Sequence, residues 1–106
     1  MQLRRLDDAL PLLERAATID PSDPGPRLAL GRLHVQRGDY AAAIPLIEPH
    51  LASDSDGSLH VQLARAYTGV GQREKAAALL RKSEELHRAA EDRSAAAARR
   101  TIEAPR

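Results

Sequence analysis

Cysteine is absent from this chain, and so are phenylalanine and tryptophan. Without cysteine there is no disulfide, no thiolate chemistry and no cysteine-ligated zinc. Two Tyr are the whole aromatic complement, so the base-stacking platforms of single-strand nucleic-acid binders are nearly out of reach. A dominant charge is missing too. The 16 basic residues stand against 15 acidic ones, a net charge of +1, whereas a nucleic-acid surface calls for a basic stripe. No nucleic-acid partner is expected, and an RNA-binding helical repeat ranks last among the readings. No apolar run approaches the roughly 18 residues of a membrane span, so no membrane partner is expected either. β-branched and aromatic residues, which strands favour, are scarce.

What remains is mainly Ala and Leu, the residues a helix accepts at lowest cost. Composition thus argues for an all-α fold. A length of 106 residues suits one small domain over 1–106, which must pack its elements closely to bury its apolar surface. The basic residues are almost all Arg, with Lys only at 75 and 82, which reads as coding bias before function. The start, MQLRRLDDALPLL, carries an Arg pair, but Asp7, Asp8 and Pro11 spoil an apolar signal core. The cytoplasm is the default compartment, and the sequence does not settle it.

The chain repeats itself. Residues 30–47, LGRLHVQRGDYAAAIPLI, align with residues 63–80, LARAYTGVGQREKAAALL, at an offset of 33. Leu30 meets Leu63, Arg32 meets Arg65, Gly38 meets Gly71, Ala43 meets Ala76 and Leu46 meets Leu79. An earlier partial copy lies in LDDALPLLERAATIDP, where Ala9, Leu10, Pro11, Leu12 and Leu13 fall 34 residues before Ala43, Ile44, Pro45, Leu46 and Ile47. Gly31, Ala43, Ala64 and Ala76 read as places where another helix crosses closely. Gly38 and Gly71 read as the positive-φ residues that end a helix, and Asp39 as the cap of the next one. Leu30, Leu33 and His34, then Ile44, Ile47 and Leu51, fall at helical spacing and give each helix one buried stripe.

Leu30-Gly31-x2-His34 with Ala43-x3-Ile47, and Leu63-Ala64-x2-Tyr67 with Ala76-x3-Leu80, follow the pattern of a known unit. The chain resembles the tetratricopeptide repeat, a 34-residue helix–turn–helix module. Ala9-x3-Leu13, ending in Asp20-Pro21, matches the back half of a further copy. The resemblance covers residues 3 to about 88 and implies an α-solenoid of antiparallel helix pairs, about five helices in all. Its parts would be a half repeat over 3–21, repeats over 24–56 and 57–88, and a C-terminal helix extension and tail over 89–106. Arg27 and His60 stand where the pattern has its large aromatic. His34 stands at its first Tyr and is expected to fill that packing place.

Helices are expected at about 3–19, 25–37, 40–52 and 58–70, with a long capping helix from near Gln72 to about 100, or a bent pair. Pro11 and Pro45 are expected in the first turns of their helices, where a proline costs less. Pro49 lies further in, so the third helix should bend or loosen there. The loop SDSDG over 53–57 has alternating Asp but lacks the following Glu of a calcium loop, and reads as a turn with helix-capping Asp and Ser.

The resemblance implies that the first helix of each pair lines a concave face that binds an extended partner segment. On this chain that face carries Leu28, Arg32, Val35 and Gln36, then Val61, Arg65, Thr68 and Gly69. Read singly, Arg32 and Arg65 are solvated side chains. Read together, they are two guanidinium forks one repeat apart, suited to an acidic peptide or a terminal carboxylate. A second surface is the stripe Leu3, Leu6, Leu10 and Leu13, which an earlier helix would cover in a longer array. A second copy of the chain, giving a homodimer, is the competing occupant. His34, His50, His60 and His87 lack metal-ligand spacing, so no metal is expected. Asp7/Asp8 and Glu84/Glu85 are adjacent and diverge on a helix, and there is no phosphate loop or nucleophile motif. No catalytic residue and no cofactor is implied. The expected function is a protein–protein interaction module, with a self-assembly domain or an accessory segment of a larger enzyme as alternatives.

Overall fold

Two turns of identical construction set the rhythm of the fold. The N–H of Gly38 donates to the Val35 carbonyl and that of Asp39 to the His34 carbonyl; 33 residues later Gly71 donates to Thr68 and Gln72 to Tyr67, at 2.8–3.1 Å. Each is a Schellman stop, which satisfies orphan carbonyls only if its pivot residue is left-handed. Gly38 and Gly71 supply that, with φ of 83° and 86°. The computed structural model describes residues 2–103, and side chains over 5–100. Its elements are α1 (Gln2–Ile19), α2 (Pro24–Arg37), α3 (Tyr40–Ile47), a 3-10 segment (Glu48–Ser53), α4 (Ser58–Gly69) and α5 (Arg73–Glu103). No strand occurs among the described residues.

The starts are as local as the stops. Asp23 caps α2 by accepting the Gly25 N–H at 3.0 Å, and Pro24 takes the first helical position, where its missing N–H costs nothing. Asp39 holds the equivalent place before α3 but makes no side-chain cap. Its carboxylate turns back to His34 and Arg37, at 3.5 and 3.6 Å. The expected helix over 40–52 divides: the chain is α-helical to Ile47 and 3-10 from Glu48, the loosening foreseen at Pro49, which has no N–H to carry the α ladder onward. Pro11 is the tenth residue of α1, because that helix already begins at Gln2. It therefore sits in the interior rather than in the first turns, and removes a ladder hydrogen bond there. The long helix is unbroken over its 31 residues. At about 1.5 Å per residue it measures about 46 Å, nearly the 52 Å length of the molecule.

Each helix packs on its successor, and α2 also reaches α4, the nearest-neighbour stacking of a solenoid. Ile47 and Leu63, both fully buried, anchor a core shared by α2 to α5 with Val35, Ala43, Leu59 and Tyr67. Burying one such aliphatic side chain stabilises by roughly 1.5–3 kcal/mol. At Gly31 α3 comes close: a Cβ there would lie 2.5 Å from Cγ1 of Ile47. The ends are tied by Arg37 to Asp7 at 3.2 Å, and by Arg93 donating to the Ser55 carbonyl at 3.0 Å.

Candidate partner-binding groove

The 33-residue offset places the same position of α2 and α4 on one side of the stack. Val35 and Gln36 from α2 meet Val61, Arg65, Thr68 and Gly69 from α4 around a groove of about 690 Å³. Three further residues complete it: Tyr40 at the start of α3, Ala64 on α4 and Leu80 on α5. Leu28 and Arg32 lie outside this lining. Leu28 is half-buried against the core, and Arg32 is exposed higher on α2.

Most of the wall is apolar, and its polar groups are few. Arg65 is its one charged side chain; it is exposed and has no carboxylate within ion-pair reach among the described residues. The Thr68 hydroxyl donates to the Ala64 carbonyl at 2.9 Å, which leaves its oxygen to accept. Gln36 is exposed. Gly69 is required because the Tyr40 ring lies directly over it, where a Cβ would collide with the ring carbons. Leu80 is 46% exposed, an apolar side chain open to the groove. Tyr40 and Leu80 are distant from α4 in sequence, and the pattern of the repeats gave no signal for either.

Three other polar clusters serve the fold. Asp54 is buried and accepts the N–H groups of Gly57 and His60 at 3.2 and 3.0 Å, with Nδ1 of buried His60 at 2.6 Å. Asp56 accepts the Ser58 N–H at 3.0 Å, which holds its carboxyl below the ordinary value. The SDSDG carboxylates are thus used on the loop and on the start of α4. The Tyr67 hydroxyl donates to Glu48, and this bond together with burial pushes the phenol above its ordinary value. Lys75 stands over the same ring, 5.3 Å from its centroid. His34 is half-buried at its packing position, and its Nδ1 makes no hydrogen bond. Among the described residues no three His, Asp or Glu side chains converge as a metal would need. No described helix is long and apolar enough to cross a membrane.

The proposed self-association stripe faces inward. Leu6, Leu10 and Leu13 are half-buried on α1, which packs along α2; the side chain of Leu3 lies outside the described residues. Among the described residues of α1 the open large apolar side chains are Leu12 and Ile19, 68% and 77% exposed. The aligned repeat explains the difference. Leu13 matches Ile47, which faces core, while Leu12 matches Leu46, which packs beside Gly31 of its own pair.

Two family models match the chain, both of the tetratricopeptide repeat, over residues 1–59 and 58–94. No curated protein and no solved structure matches it.

Proposed function

The chain belongs to the tetratricopeptide repeat family, and from that premise we propose that the groove of α2 and α4 takes a short segment of a partner protein. Repeats of this family are in general protein–protein interaction modules and typically non-catalytic. The finer reading rests on one observation: Arg65 is a cation with no ion-pair partner among the described residues, on a mostly apolar wall. A partner segment that suits it has an apolar anchor against Val61 and Leu80 and a carboxylate for the guanidinium, from Asp, Glu or a chain terminus. Such charge-assisted bonds are among the stronger ones at an interface. Arg32, one repeat along on α2, lies on the path of a longer segment.

The experiment is a peptide library selected on the immobilised chain, with binders then titrated by fluorescence anisotropy. Acidic, apolar-anchored sequences should emerge. Arg65→Glu should weaken them at least tenfold, about 1.4 kcal/mol, with helicity unchanged. Arg32→Glu should matter only for the longer binders. Binders with no acidic preference, or equal titration by the Arg65→Glu variant, would remove the groove reading.

A further inference from the structure

The face of α1 turned away from α2 forms a single seam. Arg5, Asp8, Leu12, Arg15 and Ile19 succeed one another at steps of three and four residues, the spacing that keeps side chains on one stripe of a helix. All five are exposed. Beside the seam stand Ala9 and Ala16, small enough for a neighbouring helix to approach. In the internal alignment Leu12 occupies the place of Leu46, and Leu46 is covered by a helix: a Cβ on Gly31 of α2 would lie 3.4 Å from it. The Leu12 face thus has the form of a helix-packing surface with no helix on it among the described residues.

The charges of the seam say which helix fits. Asp8 and Arg15 lie almost symmetrically about Leu12, and neither has an ion-pair partner among the described residues. We propose that α1 pairs antiparallel with α1 of a second copy, on a two-fold axis at Leu12. Leu12 then meets its own counterpart. Asp8 of each copy faces Arg15 of the other, and the stem of Arg5 covers Ile19. A two-fold interface must be self-complementary, and a seam reading + − apolar + apolar about its centre meets that condition only in the antiparallel sense. A parallel pairing sets Asp8 against Asp8 and Arg15 against Arg15. One helix face is a small interface by the standard of stable dimers, so the pair exchanges readily and gains from high concentration and low salt. The seam lies on the opposite flank of α1 from the half-buried stripe of Leu6, Leu10 and Leu13, and it is independent of the groove.

Sedimentation velocity over a concentration series to the millimolar range, at low salt, tests it. The parent chain should associate. Arg15→Asp and Asp8→Arg should each be at least tenfold weaker, because each sets like charges face to face. An equimolar mixture of the two variants should associate again, since every Asp then finds an Arg. Both positions are exposed, so both variants should melt with the parent. The chain has no native cysteine, which gives a second readout. Leu12→Cys should oxidise rapidly to a disulfide-linked dimer at the two-fold axis. Ile19→Cys, facing Arg5 of the other copy, should not. A parent that stays monomeric throughout, single variants that associate like the parent, or equal cross-linking at both positions would overturn the pairing.

Discussion

Gly31 faces Ile47 so closely that the two residues should behave as one unit of packing, and a double-mutant cycle measures this. Gly31→Ala adds a methyl whose carbon would lie 2.5 Å from Cγ1 and 3.0 Å from Cδ1 of Ile47. Ile47 is fully buried and has nowhere to retreat. Overpacking of this kind costs about 1–3 kcal/mol, offset by about 1 kcal/mol of helix propensity gained over Gly. The net effect alone is small, zero to about 2 kcal/mol of destabilisation. Ile47→Ala alone should cost about 2–5 kcal/mol through lost burial and the cavity it leaves. In that background the clash is gone and the new methyl enters the cavity, so Gly31→Ala should stabilise by about 1 kcal/mol. The coupling is then about 1–3 kcal/mol, within the range for residues in contact. Urea unfolding followed by far-ultraviolet circular dichroism gives all four corners. If Gly31→Ala has the same effect in both backgrounds, α2 and α3 do not meet at this point. The second repeat holds the alternative solution: Ala64 stands where Gly31 does, and its partner Leu80 is 46% exposed instead of buried.

Other perturbations separate neighbours that look alike in sequence. Asp23→Ala removes a true cap and should cost about 1 kcal/mol, while Asp39→Ala removes only surface ion pairs and should cost under about 0.5 kcal/mol; equal losses in urea would contradict the cap geometry. Asp54→Ala strips two backbone N–H groups and buried His60 of their acceptor. It should cost about 3 kcal/mol, and a melting temperature within a few degrees of the parent would rule that out. Tyr67→Phe loses the bond to Glu48 and should cost about 0.5–1.5 kcal/mol at neutral pH. Its pH dependence has a definite sign. Because the folded state holds the phenol proton more tightly than the unfolded state, the contribution is complete below about pH 10. It is lost as pH rises through the raised folded value. The parent should therefore lose stability above pH 10 more steeply than Tyr67→Phe, and parallel alkaline slopes would refute the assignment.

What the sequence revealed, and what it did not, divides by distance along the chain. The stops at Gly38 and Gly71 were legible because a Schellman turn needs only the residues within one helical turn of its glycine. The loosening at Pro49 and the capping by the SDSDG carboxylates were legible for the same reason, whereas Ser53 turns back to the His50 carbonyl instead of capping. Asp39 was not, even though it is local: its carboxylate has a choice between the backbone of α3 and the side chains of His34 and Arg37, and sequence does not rank the two. Pro11 was misplaced because it was read beside its counterpart Pro45, the sixth residue of α3, whereas α1 runs longer before its proline, which is its tenth residue. Contacts across helices left still less trace. Tyr67 reaches Glu48 over 19 residues, and Tyr40 covers Gly69 over a longer span. Neither is implied by any period.

The same division explains the groove. Its α2 and α4 residues follow from the repeat, because a 33-residue offset must return the same helix face in each unit. Leu80 was not read from the repeat, and it stands where the repetition changes. Ile47, Tyr40 and Leu51 of the first unit have Leu80, Arg73 and Glu84 as counterparts in the second, so the second unit keeps one apolar side chain of that set and replaces two with charges. Charges at those positions would be costly under a further helix of the stack, because burying an unpaired charge is expensive. They cost nothing beside solvent. An apolar residue left among them is one that the proposed groove would use. This gives Leu80→Glu opposite consequences for folding and binding: stability should be nearly unchanged, since the side chain is half in water. Affinity for groove-binding peptides should fall at least tenfold. A variant that melts well below the parent would show that Leu80 belongs to the core instead.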